Sequence, residues 1–167
     1  EIGTVTKSGA GILTLAGANT YTGPTTVTTG TLAVTGSLVS TTTVQAGATE
    51  TGTGTTGPLT VNSGGIHAPG TNIGRTTVTG NYVENGVLQI QIGSPSGSVA
   101  GTDYDQVRVL GSGSVAIGAA ATLTVTYTGT AGTFAPGGSQ VYVLIDNDDA
   151  NPADTTGTFA GLAEGAT

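Results

Sequence analysis

Short alternations of apolar and polar residues, each followed by a glycine, run through the first half of the chain. Thr26-Val27-Thr28, Thr43-Val44-Gln45, Thr60-Val61-Asn62 and Thr77-Val78-Thr79 place a valine at every 17th position. Gly30, Gly47 and Gly64 stand three residues after the first three valines, and Asn81 takes the fourth place. Gly and Asn are the residues that most readily carry a chain through positive φ. Leu15, Leu32, Thr49, Ile66 and Val83 form a second column with the same step. Alternation with a period of two marks a strand with one buried side. Such short strands cannot bury that side alone. Stacked copies can, with parallel backbone hydrogen bonds from coil to coil. The pattern predicts an all-β fold, a single-stranded parallel β-helix (solenoid) whose coils rise ~4.8 Å each. Its lumen is expected to hold the column Val27, Val44, Val61 and Val78.

After residue 86 the step is lost. Val87 to Ile92 alternates cleanly, with Leu88, Ile90 and Ile92 on one face. Longer runs follow at Gln106–Val109, Ser114–Ile117, Ala121–Tyr127 and Gln140–Ile145, of which 141–145 reads as buried on both faces. The chain therefore divides into a short-coil section, residues 1–86, and a section of wider coils or a cap of the same solenoid, residues 87–167. Asp146 to Thr156 reads as a polar loop, and 157–167 as a terminal segment anchored by Phe159 and Leu162.

Composition narrows the function. Thr outnumbers even the 30 glycines, aromatics are 4% and charged residues 8%. A narrow lumen admits Val, Leu and Ile and has little room for large rings. The formal net charge is −7, and Lys7, Arg75 and Arg108 are the fixed cations. Such a chain cannot build the clustered basic surface that nucleic acid or an anionic membrane requires. No apolar run approaches the roughly 20 residues of a spanning helix, so no membrane insertion by this segment is expected. With no cysteine, extracellular stability must come without disulfides.

Candidate chemistry is sparse. Glu50, His67 and Glu84 repeat the step of 17 and are expected to stack on one face of successive coils. A Glu–His–Glu column suits metal binding or titration near neutrality, but an exposed polar column that keeps the solenoid soluble is the favoured reading. Asp103 and Asp105 flank Tyr104, and Asp146, Asp148 and Asp149 crowd a second loop. Oxygen ligands in loops suit Ca²⁺, which makes these five weak metal candidates; solvated turn acids are the favoured reading. Glycoside hydrolysis needs two acids at a set separation in a cleft. Here the densest acid groups lie in different loops, and Tyr21, Tyr82, Tyr104, Tyr127 and Tyr142 are scattered. Tyr21 and Tyr82 read as corner caps. No catalytic residue, metal or cofactor is expected, and the chain reads as a non-enzyme.

The stretch Lys7-Ser8-Gly9-Ala10-Gly11-Ile12-Leu13-Thr14-Leu15-Ala16-Gly17-Ala18-Asn19-Thr20-Tyr21-Thr22-Gly23, continuing through Thr25-Thr26-Val27 and Gly30-Thr31-Leu32, resembles the autotransporter passenger-associated strand repeat. Ala68 to Gly74 with Val78 and Gly80-Asn81-Tyr82, then Asp103 to Val107, then Leu144 to Asp148 with Gly157 to Ala166, resemble the C-terminal part of such passengers. The resemblance implies a right-handed parallel β-helix on the bacterial surface or outside the cell, part of a larger protein, with no catalytic site. Glu50 and His67 stand where the family often has apolar residues; these 167 residues contain no outer-membrane barrel, and the chain is expected to be a fragment or a processed piece. The expected function is a structural or adhesive extracellular segment, a rigid spacer or contact surface. The alternatives are a filament or sheath subunit joined end to end, and a carbohydrate-active β-helix. Expected partners are the same protein or adjoining repeats, through strand edges at residues 1–6 and 157–167, and a host or matrix surface.

Overall fold

In the computed structural model, residues 2–94, 99–129, 141–148 and 154–162 are described. They form coils of three strands each. The first coil is β1 (Val5–Lys7), β2 (Ile12–Leu15) and β3 (Ala18–Asn19), and the second is β4 (Thr25–Val27), β5 (Gly30–Val34) and β6 (Ser37–Leu38). The third is β7 (Thr42–Val44), β8 (Ala48–Gly52) and β9 (Thr55–Thr56), and the fourth β10 (Leu59–Val61), β11 (Ile66–Pro69) and β12 (Arg75–Thr79). The fifth is β13 (Tyr82–Glu84), β14 (Val87–Ile92) and β15 (Gln106–Leu110), and the sixth β16 (Val115–Ile117), β17 (Thr122–Tyr127) and β18 (Ile145–Asn147). A last strand, β19 (Thr155–Thr156), begins another turn.

Each strand pairs in parallel with its counterparts one coil away. The first sheet runs β1-β4-β7-β10-β13-β16-β19, the second β2-β5-β8-β11-β14-β17, and the third β3-β6-β9-β12-β15-β18. This is a three-sided parallel β-helix. All three sheets pass without interruption across residue 86, since Tyr82 pairs with Val115, Ile66 with Val87 and Thr77 with Arg108.

The inward residues stack in columns. On the first sheet Val27, Val44 and Val61 are in register and fully buried. Val78 is buried too, but it lies on the third sheet, between Thr56 and Val109. On the first sheet the 17-residue step therefore holds from the second coil to the fourth and then fails, earlier than the sequence pattern indicates. The cause is the turn Gly70–Gly74, inserted between β11 and β12, where Gly70 has φ 79°. The second column is broken as well. Thr49 and Ile66 do pair, but Leu15 lies beside Val34, Leu32 beside Glu50, and Val83 beside Thr60.

The corners follow the glycines. Gly30, Gly47 and Gly64 have φ of 72°, 77° and 79°. At the fourth position positive φ falls to Gly80, at 106°, and not to Asn81. Leu88 and Ile90 are buried as the alternation indicates. Val141 and Val143 are exposed, and the strand in this region is Ile145–Asn147, so the buried reading of 141–145 is corrected. Asp146 and Asn147 are accordingly in a strand and not a loop. Phe159 packs on the core, whereas Leu162 is exposed.

Candidate functional site

The lumen is lined mainly by Val, Leu and Ile, but in the third to fifth coils it contains ionisable side chains. Glu50 on β8 and His67 on β11 are in register on the second sheet. Glu84 is not the third member of that column. His67 pairs with Leu88, and Glu84 lies on the first sheet beside Val61. The column on an exposed face is thus corrected twice: Glu50, His67 and Glu84 are all fully buried, and they come from two sheets. Alternation dictates this. β13 turns Tyr82 and Glu84 inward and Val83 outward, and β8 turns Glu50 inward.

Tyr82 bridges the two sheets. It is fully buried in a strand, not a corner cap. Its hydroxyl donates to Glu84 Oε2 at 2.7 Å and lies 2.9 Å from His67 Nδ1. The His67 and Tyr82 rings meet edge to face with centroids 5.4 Å apart. Gly86 N–H donates to Glu84 Oε1 at 2.8 Å. His67 Nε2 approaches Glu50 Oε2 at 3.1 Å, without the alignment of a ring N–H bond, and Glu50 Oε1 has no partner.

Burial dominates the electrostatics. It pushes the Glu50 carboxyl well above its ordinary value and His67 down to about 3. It raises Glu84 to about 7, against the hydrogen bonds from Tyr82 and Gly86, which favour the carboxylate. Tyr82 is raised first by burial and then by its negative neighbours. All four side chains are sealed from solvent, so the array offers no opening to a substrate.

Two other charged residues, read from the sequence only as a fixed cation and a turn acid, are buried. Lys7, on β1, begins the column that continues through Val27, Val44 and Val61. Its ammonium donates to the carbonyls of Gly9 at 2.6 Å, Thr29 at 3.0 Å and Ser8 at 3.2 Å, tying the first corner to the second. Asp105 is buried, not a solvated turn acid. It accepts from Gly74 N–H at 2.7 Å and Gln91 N–H at 2.6 Å. Burial raises it to about 6, against those two bonds. Its neighbour Asp103 accepts from Val99 N–H at 3.0 Å.

Asp146 and Asp148 both lie beside Arg108, while Asp149 falls outside the described residues. Among the described residues, no group of three or more His, Cys, Asp or Glu side chains is arranged to hold a metal ion. No helix among them is long and apolar enough to cross a membrane. Of the scattered tyrosines, Tyr104 and Tyr142 meet edge to face at 5.0 Å.

The geometry defines a parallel β-helix with a partly polar lumen. Residues 5–34 match the family model described as passenger-associated-transport-repeat, which agrees with the resemblance read from Lys7 to Leu32. The match covers β1 to β5 and includes the Lys7 corner. No curated protein matches the chain.

Proposed function

We propose that this chain is a structural segment of a bacterial surface or secreted passenger, a rigid spacer that also offers a contact surface. The observation that supports this reading is the combination of a passenger-associated repeat at residues 5–34 with three unbroken parallel sheets running the length of the coils. Backbone ladders and a close-packed lumen make such a rod stiff without a specific chemical site. Contact with a host or matrix surface would use the outward Thr-rich faces, leaving the lumen untouched.

The test is a deletion in register. Residues 25–41 form one coil, and removing them brings Val5 against Thr42, which already share a column through Thr25. A spacer shortened by ~4.8 Å is expected to stay folded, as judged by limited proteolysis, and to keep any adhesion carried by the full protein. Abrupt loss of adhesion with the fold intact would mean that this coil is itself the contact site.

A second reading, self-assembly through the sheet edges, is favoured by one observation. The outermost strands of the second sheet expose large apolar side chains, Ile12 on β2 at 72% and Val125 on β17 at 49%. An exposed edge of this kind pairs with another strand, from the same polypeptide or from a second copy. Molecular mass measured at rising concentration separates the readings. Growth that a proline at Thr14 in β2 suppresses supports assembly.

A further inference from the structure

Tyr82 fixes the direction of the lumen array. Its hydroxyl hydrogen goes to Glu84 Oε2, so its oxygen receives a bond from His67 Nδ1. The proton of a neutral His67 is therefore on Nδ1. That leaves Nε2 as a bare acceptor 3.1 Å from Glu50 Oε2. Two lone pairs facing each other out of reach of water repel, and one proton held by the pair removes the repulsion. At the other end Glu84 accepts at both oxygens, from Tyr82 and from Gly86, the pattern of a carboxylate. The three contacts thus hold three protons, and the array carries one negative charge, on Glu84. A fourth proton cancels that charge. Glu84 is fully buried between Val61 and Ile117, with no cation beside it among the described residues, and the cost of that unpaired buried charge exceeds that of the one hydrogen left without an acceptor.

We infer that Glu50, His67, Tyr82 and Glu84 form a proton-operated latch between the third, fourth and fifth coils: as the pH falls past neutrality the lumen takes a proton from solvent onto Glu84, and the coils then hold together more strongly. The residues in register with the four are Leu32, Leu88, Leu59, Val61, Val115 and Ile117. None of them titrates, nor do Thr56, Thr76, Val78, Gln106, Val107 and Val109, the buried residues of the third sheet in the same coils, so the four titrate among themselves. The burial that raises Glu84 to about 7 from an ordinary 4.5 fits this picture. A carboxyl raised on folding contributes stability that is complete below about 4.5 and is lost as the pH rises through about 7. Glu50, raised by burial alone, acts in the same sense. His67, lowered to about 3, opposes them: its contribution is complete above about 6.5 and is lost as the pH falls toward 3.

The chain has four glutamates, Glu1, Glu50, Glu84 and Glu164, so carboxyl ¹³C spectra of the whole protein can follow each one through a pH titration. One carboxyl is expected to titrate near pH 7, and its resonance to be absent in Glu84→Gln. In Tyr82→Phe the same midpoint should move upward, because the carboxylate loses a donor. In equilibrium unfolding between pH 5 and 7, the folding constant of the wild type relative to Glu84→Gln should fall by up to about tenfold per pH unit. Four glutamates all titrating between pH 4 and 5 would overturn the latch, and so would a midpoint near 7 that Tyr82→Phe leaves unmoved. The wild-type titration stands even if a variant fails to fold.

Discussion

Val61 and Glu84 are in-register neighbours on the first sheet, so a carboxyl interrupts the aliphatic column that Val27, Val44 and Val61 begin. Lys7 stands at the other end of the same column, against Val27. The stacked valines are thus bracketed by an ammonium tied to backbone carbonyls and by the Glu84 carboxyl.

That position makes Val61 a sensitive test of the lumen. Val61→Ala removes two methyl groups from a fully buried site and is expected to cost about 2 kcal/mol through lost burial and a small cavity. Val61→Asp places a second carboxyl next to Glu84, without a partner, at an expected cost of about 4 kcal/mol or more. Urea unfolding should show both losses. A Val61→Asp protein as stable as the wild type would mean that this side chain does not face the lumen.

Gly30 and Gly47 occupy the same corner in successive coils with nearly the same φ, but their surroundings differ. A Cβ at Gly30 would fall 2.2 Å from Gly9 O and 2.6 Å from Gly11 O, whereas nothing lies within 4 Å at Gly47. Gly47→Ala should therefore cost only the conformational strain, about 1–2 kcal/mol. Gly30→Ala adds a clash with backbone and should cost about 3 kcal/mol or more. Melting temperatures of the two variants under one condition settle the order. Equal losses would show that backbone conformation alone decides.

The fold class was legible because it rests on strand alternation and glycine corners, which are local. Val27, Val44 and Val61 fall where the period puts them. Val78 does not, because the inserted turn at Gly70–Gly74 shifts everything after it. A fixed step in sequence remains a fixed place in space only while the corners keep their length. The same shift hid the array. Counting by 17 pairs Glu84 with His67, but the chain joins them through Tyr82, and nothing local tells that a strand reading Tyr-Val-Glu turns its polar residues inward. The signal that was present is the departure at Glu50 and His67 from the apolar residues frequent in such repeats. Two polar residues stacked at lumen positions call for a third group to satisfy them.

Lys7 is the corner cation of the matched repeat. Its three carbonyl acceptors belong to two successive corners, and Thr29 Oγ1 accepts from Gly9 N–H at 2.8 Å beside them. Lys7→Met keeps the aliphatic stem and removes the donors. The expected loss is about 2 kcal/mol, since hydrogen bonds to a charged group are worth more than neutral ones and the carbonyls lose their partner. Hydrogen exchange should locate the loosening in the first and second coils, leaving the fourth and fifth protected. Uniform loss of protection along the chain would show instead that the corner is needed for the whole solenoid to fold.

Asp105 links the turn before β12 to strand β14 by accepting from Gly74 and Gln91. Asn at this position has one carbonyl oxygen, so one of the two N–H groups loses its acceptor. Asp105→Asn is expected to cost about 1–3 kcal/mol at acid pH. The pH dependence then separates charge from geometry. Burial raises the carboxyl from an ordinary 3.8 to about 6, so its titration contributes stability that is complete below about 3.8 and lost as the pH rises through about 6. The variant has no such titration. The gap between wild type and Asp105→Asn should therefore narrow between about pH 4 and pH 7. Urea midpoints at the two ends of that range measure it. A gap that widens with pH would mean that the two N–H donors outweigh burial and that the ionised carboxylate is the form the fold prefers.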